Sequence, residues 1–113
     1  MKIAGQQSAS REPEPEGPYS GLIRLHILHH ACQGPIFGLG MIEELARHGY
    51  RLSPGTLYPL LRQLEQKGLL RSGRKHVGGK VRYLYRATPA GRKALKTGKQ
   101  RVRELFQELF EDE

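Results

Sequence analysis

The side chains with most to offer chemically are three histidines, one cysteine and a crowd of arginines and lysines. His26 and His30 stand four residues apart, so on a helix they share one face, a spacing that can hold a metal ion. No third ligand is evident nearby, and the glutamate that follows the first histidine of a zinc-protease helix is absent. The other account makes His26, His29 and His30 surface or interface histidines that tune a subunit contact with pH. Cys32 is the only cysteine, which excludes an internal disulfide and a cysteine-based zinc site. It reads as a small buried hydrophobe on a helix, and a thiol sensor would lack a basic sequence neighbour to activate it. Gly78-Gly79-Lys80 lacks the spacing of a phosphate loop, and no nucleophile elbow occurs. The expectation is a protein that is not an enzyme, with no catalytic residues, no metal and no cofactor.

Charge is the stronger signal. The net charge is +8, yet the span from Arg51 to Arg103 holds fifteen Lys or Arg and a single acid, Glu65. The last ten residues reverse this with Glu104, Glu108, Glu111, Asp112 and Glu113 and no base. So concentrated a positive charge favours a polyanion, with binding that weakens as salt rises. The bland alternative is that these cations only keep the fold soluble.

These side chains must be positioned by elements that the pattern makes readable. At 113 residues the chain suits one domain with a modest core. Residues 1–18, rich in Gln, Ser, Glu and Pro, read as a disordered arm and carry no apolar signal segment. No apolar run could span a membrane, so a cytoplasmic protein without a membrane partner is expected. Ile23, Ile27 and Ala31 recur at helical spacing within a first helix from about Tyr19 to Cys32, ended by Gly34-Pro35. Met41, Ile42 and Leu45 mark a second helix from Gly38 to His48, with Gly49 after its last turn. A third helix starts at Ser53 as N-cap with Pro54 first; Leu57, Leu60, Leu61 and Leu64 form its buried stripe and Gly68 closes it. Two strands, about Leu70–Lys75 and Val81–Ala87, flank a tip at residues 76–80. Thr88 and Pro89 then begin a fourth helix running to about Phe110.

Helix, helix, helix, hairpin, helix is the layout of a winged helix-turn-helix, mainly α with a small β-hairpin. With its leucines pinned to the core, the third helix turns Gly55, Thr56, Pro59, Arg62, Gln63 and Gln66 outward, with Tyr58 on the flank. Arg62 and Gln63 carry donors suited to base edges, and the helix start offers N–H groups to phosphate; Gln66 is more simply ordinary helix surface. Arg71, Arg74, Lys75, His76, Lys80, Arg82 and Arg86 make the hairpin a positioning surface for the sugar-phosphate chain. The expected DNA-binding set is therefore Ser53, Pro54, Gly55, Thr56, Tyr58, Arg62, Gln63, Arg74, Lys75, Lys80 and Arg82. Leu95, Val102 and Leu109, seven apart, with Leu105 and Phe106 beside them, suit a helix that packs on a partner, on its own first helix, or on both.

The string from Arg51 to Glu65, with Ser53-Pro54-Gly55-Thr56-Leu57-Tyr58-Pro59 at its heart, resembles the recognition-helix signature of PadR-like transcriptional regulators. Gly68-Leu69-Leu70 and the stretch from Gly79 to Arg92 are similar to the same family, so the resemblance spans roughly Leu22 to Leu95. It implies a homodimer that binds duplex DNA at a palindromic operator and represses a nearby gene, with Tyr58 and the helix-start residues on the DNA. It also implies dimerisation through the C-terminal helix, here Leu95, Val102, Leu105, Phe106 and Leu109, and a small-molecule effector that can release the operator. The chain departs from the family at Phe37-Gly38-Leu39, where His-Gly-Tyr is frequent. The expected organisation is an arm at 1–18, a winged helix-turn-helix at 19–88 and a dimerisation helix with acidic tail at 89–113. The competing reading, a winged helix that docks a partner protein, has no need of so much positive charge.

Overall fold

A computed structural model of the chain describes residues 17–111. The expected N-terminal arm lies outside the described residues except for Gly17 and Pro18, as do Asp112 and Glu113. The elements follow in the order α1 (Ser20–Gln33), β1 (Ile36–Phe37), α2 (Gly38–Arg47), α3 (Pro54–Gln66), β2 (Leu70–Val77), β3 (Lys80–Ala87) and α4 (Pro89–Phe110). This is a winged helix-turn-helix: three helices around one core, a small antiparallel sheet of order β1-β3-β2, and a long closing helix.

The core is aliphatic. Ile23, Ile27, Leu28 and Ala31 of α1, Met41 and Leu45 of α2, and Leu57, Leu60, Leu61 and Leu64 of α3 converge with Ile36, Leu52, Leu70 and Tyr85. Each α3 leucine is at most 2% exposed, and burial of one such side chain contributes about 1.5–3 kcal/mol. The stripe read from the sequence is thus the face that anchors α3. Pro59 removes one rung of the helix without interrupting it.

The corners after α2 and α3 are closed the same way. Gly49 and Gly68 adopt positive φ, and the Tyr50 and Leu69 N–H groups reach back to the carbonyls of Leu45 and Leu64. These are Schellman closures, with an apolar residue folded onto the core directly after the glycine.

Three local expectations change. Ser53 occupies the N-cap position of α3, but its side chain makes no capping bond; the hydroxyl donates to Thr56 Oγ1 at 3.3 Å. The first strand runs two residues and the second one residue further toward the tip than expected, so the connection is only Gly78-Gly79, both with positive φ as a tight hairpin turn requires. A third strand, β1, was not legible: Ile36 pairs with Tyr85 and Phe37 with Leu84. Two residues are too few to show a period.

At the far end of the sheet, Thr88 joins three elements. Its N–H bonds the Leu69 carbonyl, its hydroxyl donates to the Gly68 carbonyl, and the same oxygen caps α4 by accepting the Gly91 N–H at 3.0 Å. Gly91 is buried here, and any Cβ would collide with the Leu69 carbonyl oxygen. Because backbone rather than a flexible side chain blocks the space, Gly91→Ala should cost about 1–3 kcal/mol, read as a lower urea midpoint; an unchanged midpoint would show that this junction yields.

Candidate nucleic-acid interface

The outward side of α3 keeps Ser53, Pro54, Gly55, Arg62 and Gln63 exposed and Thr56 half-buried. The helix start is more satisfied than a bare N-terminus. The Ser53 carbonyl accepts both the Thr56 and Leu57 N–H groups, and Pro54 has none, which leaves Gly55 to offer its N–H outward. Tyr58 is half-buried: its ring lies against the backbone of Gly38, so closely that a methyl group there would displace the ring. Arg24 of α1 points into the same region, with Nη2 at 3.5 Å from Gln63 Oε1 and Nη1 donating to the Ser20 carbonyl. Arg24 was not legible as part of this surface, because it sits in an apolar helix and meets Gln63 only through the fold.

The pairing register sorts the hairpin residues onto two faces. Arg74 opposes Tyr83 and Ser72 opposes Tyr85, so these four share one face, the one that meets α3. Burial pushes the Tyr85 hydroxyl up from its ordinary value, and Glu65 of α3 adds to this while Arg62 opposes it. Arg74 lies over the Tyr83 ring at 5.6 Å. Lys75, Lys80 and Arg82 fall on the other face together with Arg71 and Arg86. There Arg71 stands opposite Arg86 and Lys75 opposite Arg82, like charges that destabilise the free hairpin. Arg82 is held 5.2 Å from the Phe37 ring. The expected wing contacts therefore do not form one plane but line both sides of the ribbon behind the Gly78-Gly79 tip.

Along α4, Leu95 packs partly against the core, while Val102, Leu105, Phe106 and Leu109 are 41–61% exposed. A groove of about 540 Å³ runs between α1 and α4, lined by Leu22, Leu25, His26, Leu95, Val102 and Phe106 among others.

Comparison with known proteins matches this arrangement. Residues 27–97 fit the model of the transcriptional regulator PadR-like family. The chain belongs to that family. It is 53% identical over 88 residues to the transcriptional regulator Rv3488 of Mycobacterium tuberculosis, covering 78% of this chain and 82% of that protein. The crystal structure of a PadR family transcriptional regulator from Eggerthella lenta superposes with a TM-score of 0.70 at 32% identity, covering 80% of each chain. A PadR-like regulator from Bacillus cereus gives a TM-score of 0.74 at 26% identity over 80% of this chain and 90% of that one. This PadR-like chain is accordingly a transcriptional regulator with the family's winged helix-turn-helix. No described helix is long and apolar enough to cross a membrane.

Four of the five histidines, His26, His29, His30 and His48, gather away from α3's outer side, at the seam between α1 and α2. The His26 ring stacks on His48 at 4.6 Å and tilts against Tyr50, while His29 meets His30 edge-on. Glu44 lies among them, its Oε2 at 3.5 Å from His30 Nε2 and 3.2 Å from His48 Nε2, and it also pairs with Arg47. No group of three or more possible ligands among the described residues has the geometry to hold a metal ion. Cys32 is half-buried, and its carbonyl accepts from Arg92 at 3.2 Å.

Burial lowers the His26 pKa from its usual 6.5; the nearby charges of His48, His30 and His29 push the same way, and Glu44 opposes them. Burial alone would raise the Glu44 carboxyl, but the His48 hydrogen bond and the charges of His30 and Arg47 hold it below its ordinary value. Both shifts have one sign for stability. A depressed His26 gives a contribution to stability that is fully present above 6.5, its unfolded value, and is lost as pH falls below 6.5 through the lowered folded value. Glu44 loses its contribution at more acid pH, below 4.5. Urea midpoints should fall on acidification from neutrality, and His26→Asn should flatten the upper part of that dependence; an equal slope in both proteins would assign it elsewhere.

Proposed function

We propose that this PadR-like regulator is a sequence-specific DNA-binding repressor that acts as a homodimer on a palindromic operator. The observation that carries the reading is the joining of α3's exposed, donor-bearing edge to a hairpin whose cations have no carboxylate partners among the described side chains. In it, Gly55, Thr56, Arg62 and Gln63 face the major groove, with Ser53, Pro54 and Tyr58 setting the approach. Arg74, Lys75, Lys80 and Arg82 hold the flanking backbone. Occupying an operator that overlaps a promoter suffices for repression.

Homodimerisation is supported by the apolar side of α4. Val102, Leu105, Phe106, Leu109 and Phe110 form an exposed row of large apolar side chains on one helix, a pattern that marks an interaction surface. Charge along α4 agrees: Arg92, Lys93, Lys96, Lys99, Arg101 and Arg103 precede Glu104, Glu108 and Glu111. Two copies running antiparallel would set the basic half of each against the acidic half of the other. A two-fold dimer then calls for half-sites about 34–36 Å apart on the duplex. The groove between α1 and α4, at about 540 Å³, is of the size that small-molecule ligands occupy, and we place an effector that releases the operator there.

Selection of bound duplexes from a random-sequence pool tests the reading directly: a symmetric motif should be enriched, and recovery of unrelated sequences with no symmetry would defeat it. Arg62→Ala should cost about 1–3 kcal/mol on the selected duplex and relax preference at one base position, whereas Lys80→Ala should weaken all duplexes alike and flatten the salt slope by about one. Leu105→Asp should convert the dimer to a monomer in light scattering; a persistent dimer would remove α4 from the interface.

A further inference from the structure

Glu65 is the one acid between Arg51 and Arg103, and electrostatics disfavours it twice. It sits in the last turn of α3, where the helix end already carries partial negative charge. On the proposed reading it also lies beside a phosphate backbone. What it gains is a contact. Its Oε2 accepts the Ser72 hydroxyl at 2.6 Å and the Ser72 N–H at 3.2 Å. Ser72 lies in β2, one of the two edge strands of the sheet. Among the described residues these are the only side-chain hydrogen bonds between α3 and the hairpin. The other tether at this corner, Thr88 on Gly68 and Leu69, fixes where β3 leaves the sheet but does not touch α3.

We propose that Glu65 is a positioning residue for operator recognition: by gripping Ser72 it sets the angle between the reading helix and the wing, so that one duplex engages both together. The inference rests on the DNA-binding reading above. Without the grip, Leu70 and Tyr85 still anchor the base of the hairpin in the core, but the ribbon from Ser72 to the tip swings on that base and is no longer held in register with α3. Sequence-specific binding, which needs both at once, suffers; loose backbone binding does not.

The test compares full-length wild type with Glu65→Ala, Glu65→Gln and Ser72→Ala. Two probes are used at one salt concentration: a duplex selected by the wild type from a random pool, and a shuffled duplex of the same composition. The readout is the ratio of the two affinities. Both Glu65 variants lose a negative charge, so both should hold the shuffled duplex more tightly. Glutamine can still accept from Ser72, so Glu65→Gln should keep a ratio close to wild type. Glu65→Ala should lower the ratio about tenfold, the factor that one charge-assisted hydrogen bond supports. Ser72→Ala, with the charge intact, should lower it by a smaller factor in the same direction. A ratio unchanged in folded Glu65→Ala, or lowered equally in alanine and glutamine variants, overturns the proposal. If Glu65→Ala does not fold, an unchanged ratio in Ser72→Ala overturns it alone. A wild type that selects no sequence defeats the functional reading itself, a result distinct from either.

Discussion

The one-sided burial of α3 is the constraint on which the rest of the molecule depends. Leu57, Leu60, Leu61 and Leu64 leave the helix no freedom to roll, since rotation by a single position would bring a polar neighbour into the aliphatic core and push a leucine into water. Everything on the opposite side is therefore presented at a fixed azimuth. Tyr58 shows how tight this is. Its ring rests on Gly38, so the start of α2 is a bare backbone surface shaped to receive it. The departure from the family's frequent His-Gly-Tyr at positions 37–39 retains the middle glycine, the residue of the three whose backbone Tyr58 rests against.

The corner after α3 does a second job. Within a few residues the helix ends, the sheet begins and α4 departs. Gly68, Leu69, Thr88 and Gly91 interlock there through backbone hydrogen bonds and through a close approach with no room for a methyl group. The closing helix is thus built onto the same turn that supports the wing. The histidine seam between α1 and α2 borders α4 differently, through the groove that His26 shares with Leu95, Val102 and Phe106.

Much of this was legible in the sequence because the relevant signals are local. The leucine spacing of α3, the Gly49 and Gly68 stops, and the Thr88-Pro89 start each depend on residues within one or two helical turns. What escaped is what the chain brings together from afar. The β1 pairing joins Ile36 to Tyr85, Arg24 reaches Gln63, and Glu65 meets Ser72 across a tight turn. The division of the hairpin cations between two faces was within reach, since it follows from alternation, but only once the two-residue tip had fixed the register. Ser53 was right in position and wrong in bonding: its hydroxyl prefers Thr56 Oγ1 to the backbone.

The matched cations across the hairpin carry one more consequence. Arg71 facing Arg86 and Lys75 facing Arg82 make the ribbon a loaded spring whose tension depends on the surrounding ions. In dilute electrolyte the strands repel each other hardest and the tip frays most; added electrolyte quiets the repulsion and firms the ribbon. The same ions compete with a bound polyanion. Ionic strength therefore pulls in opposite directions on the empty and the occupied molecule, stiffening the one while loosening the other.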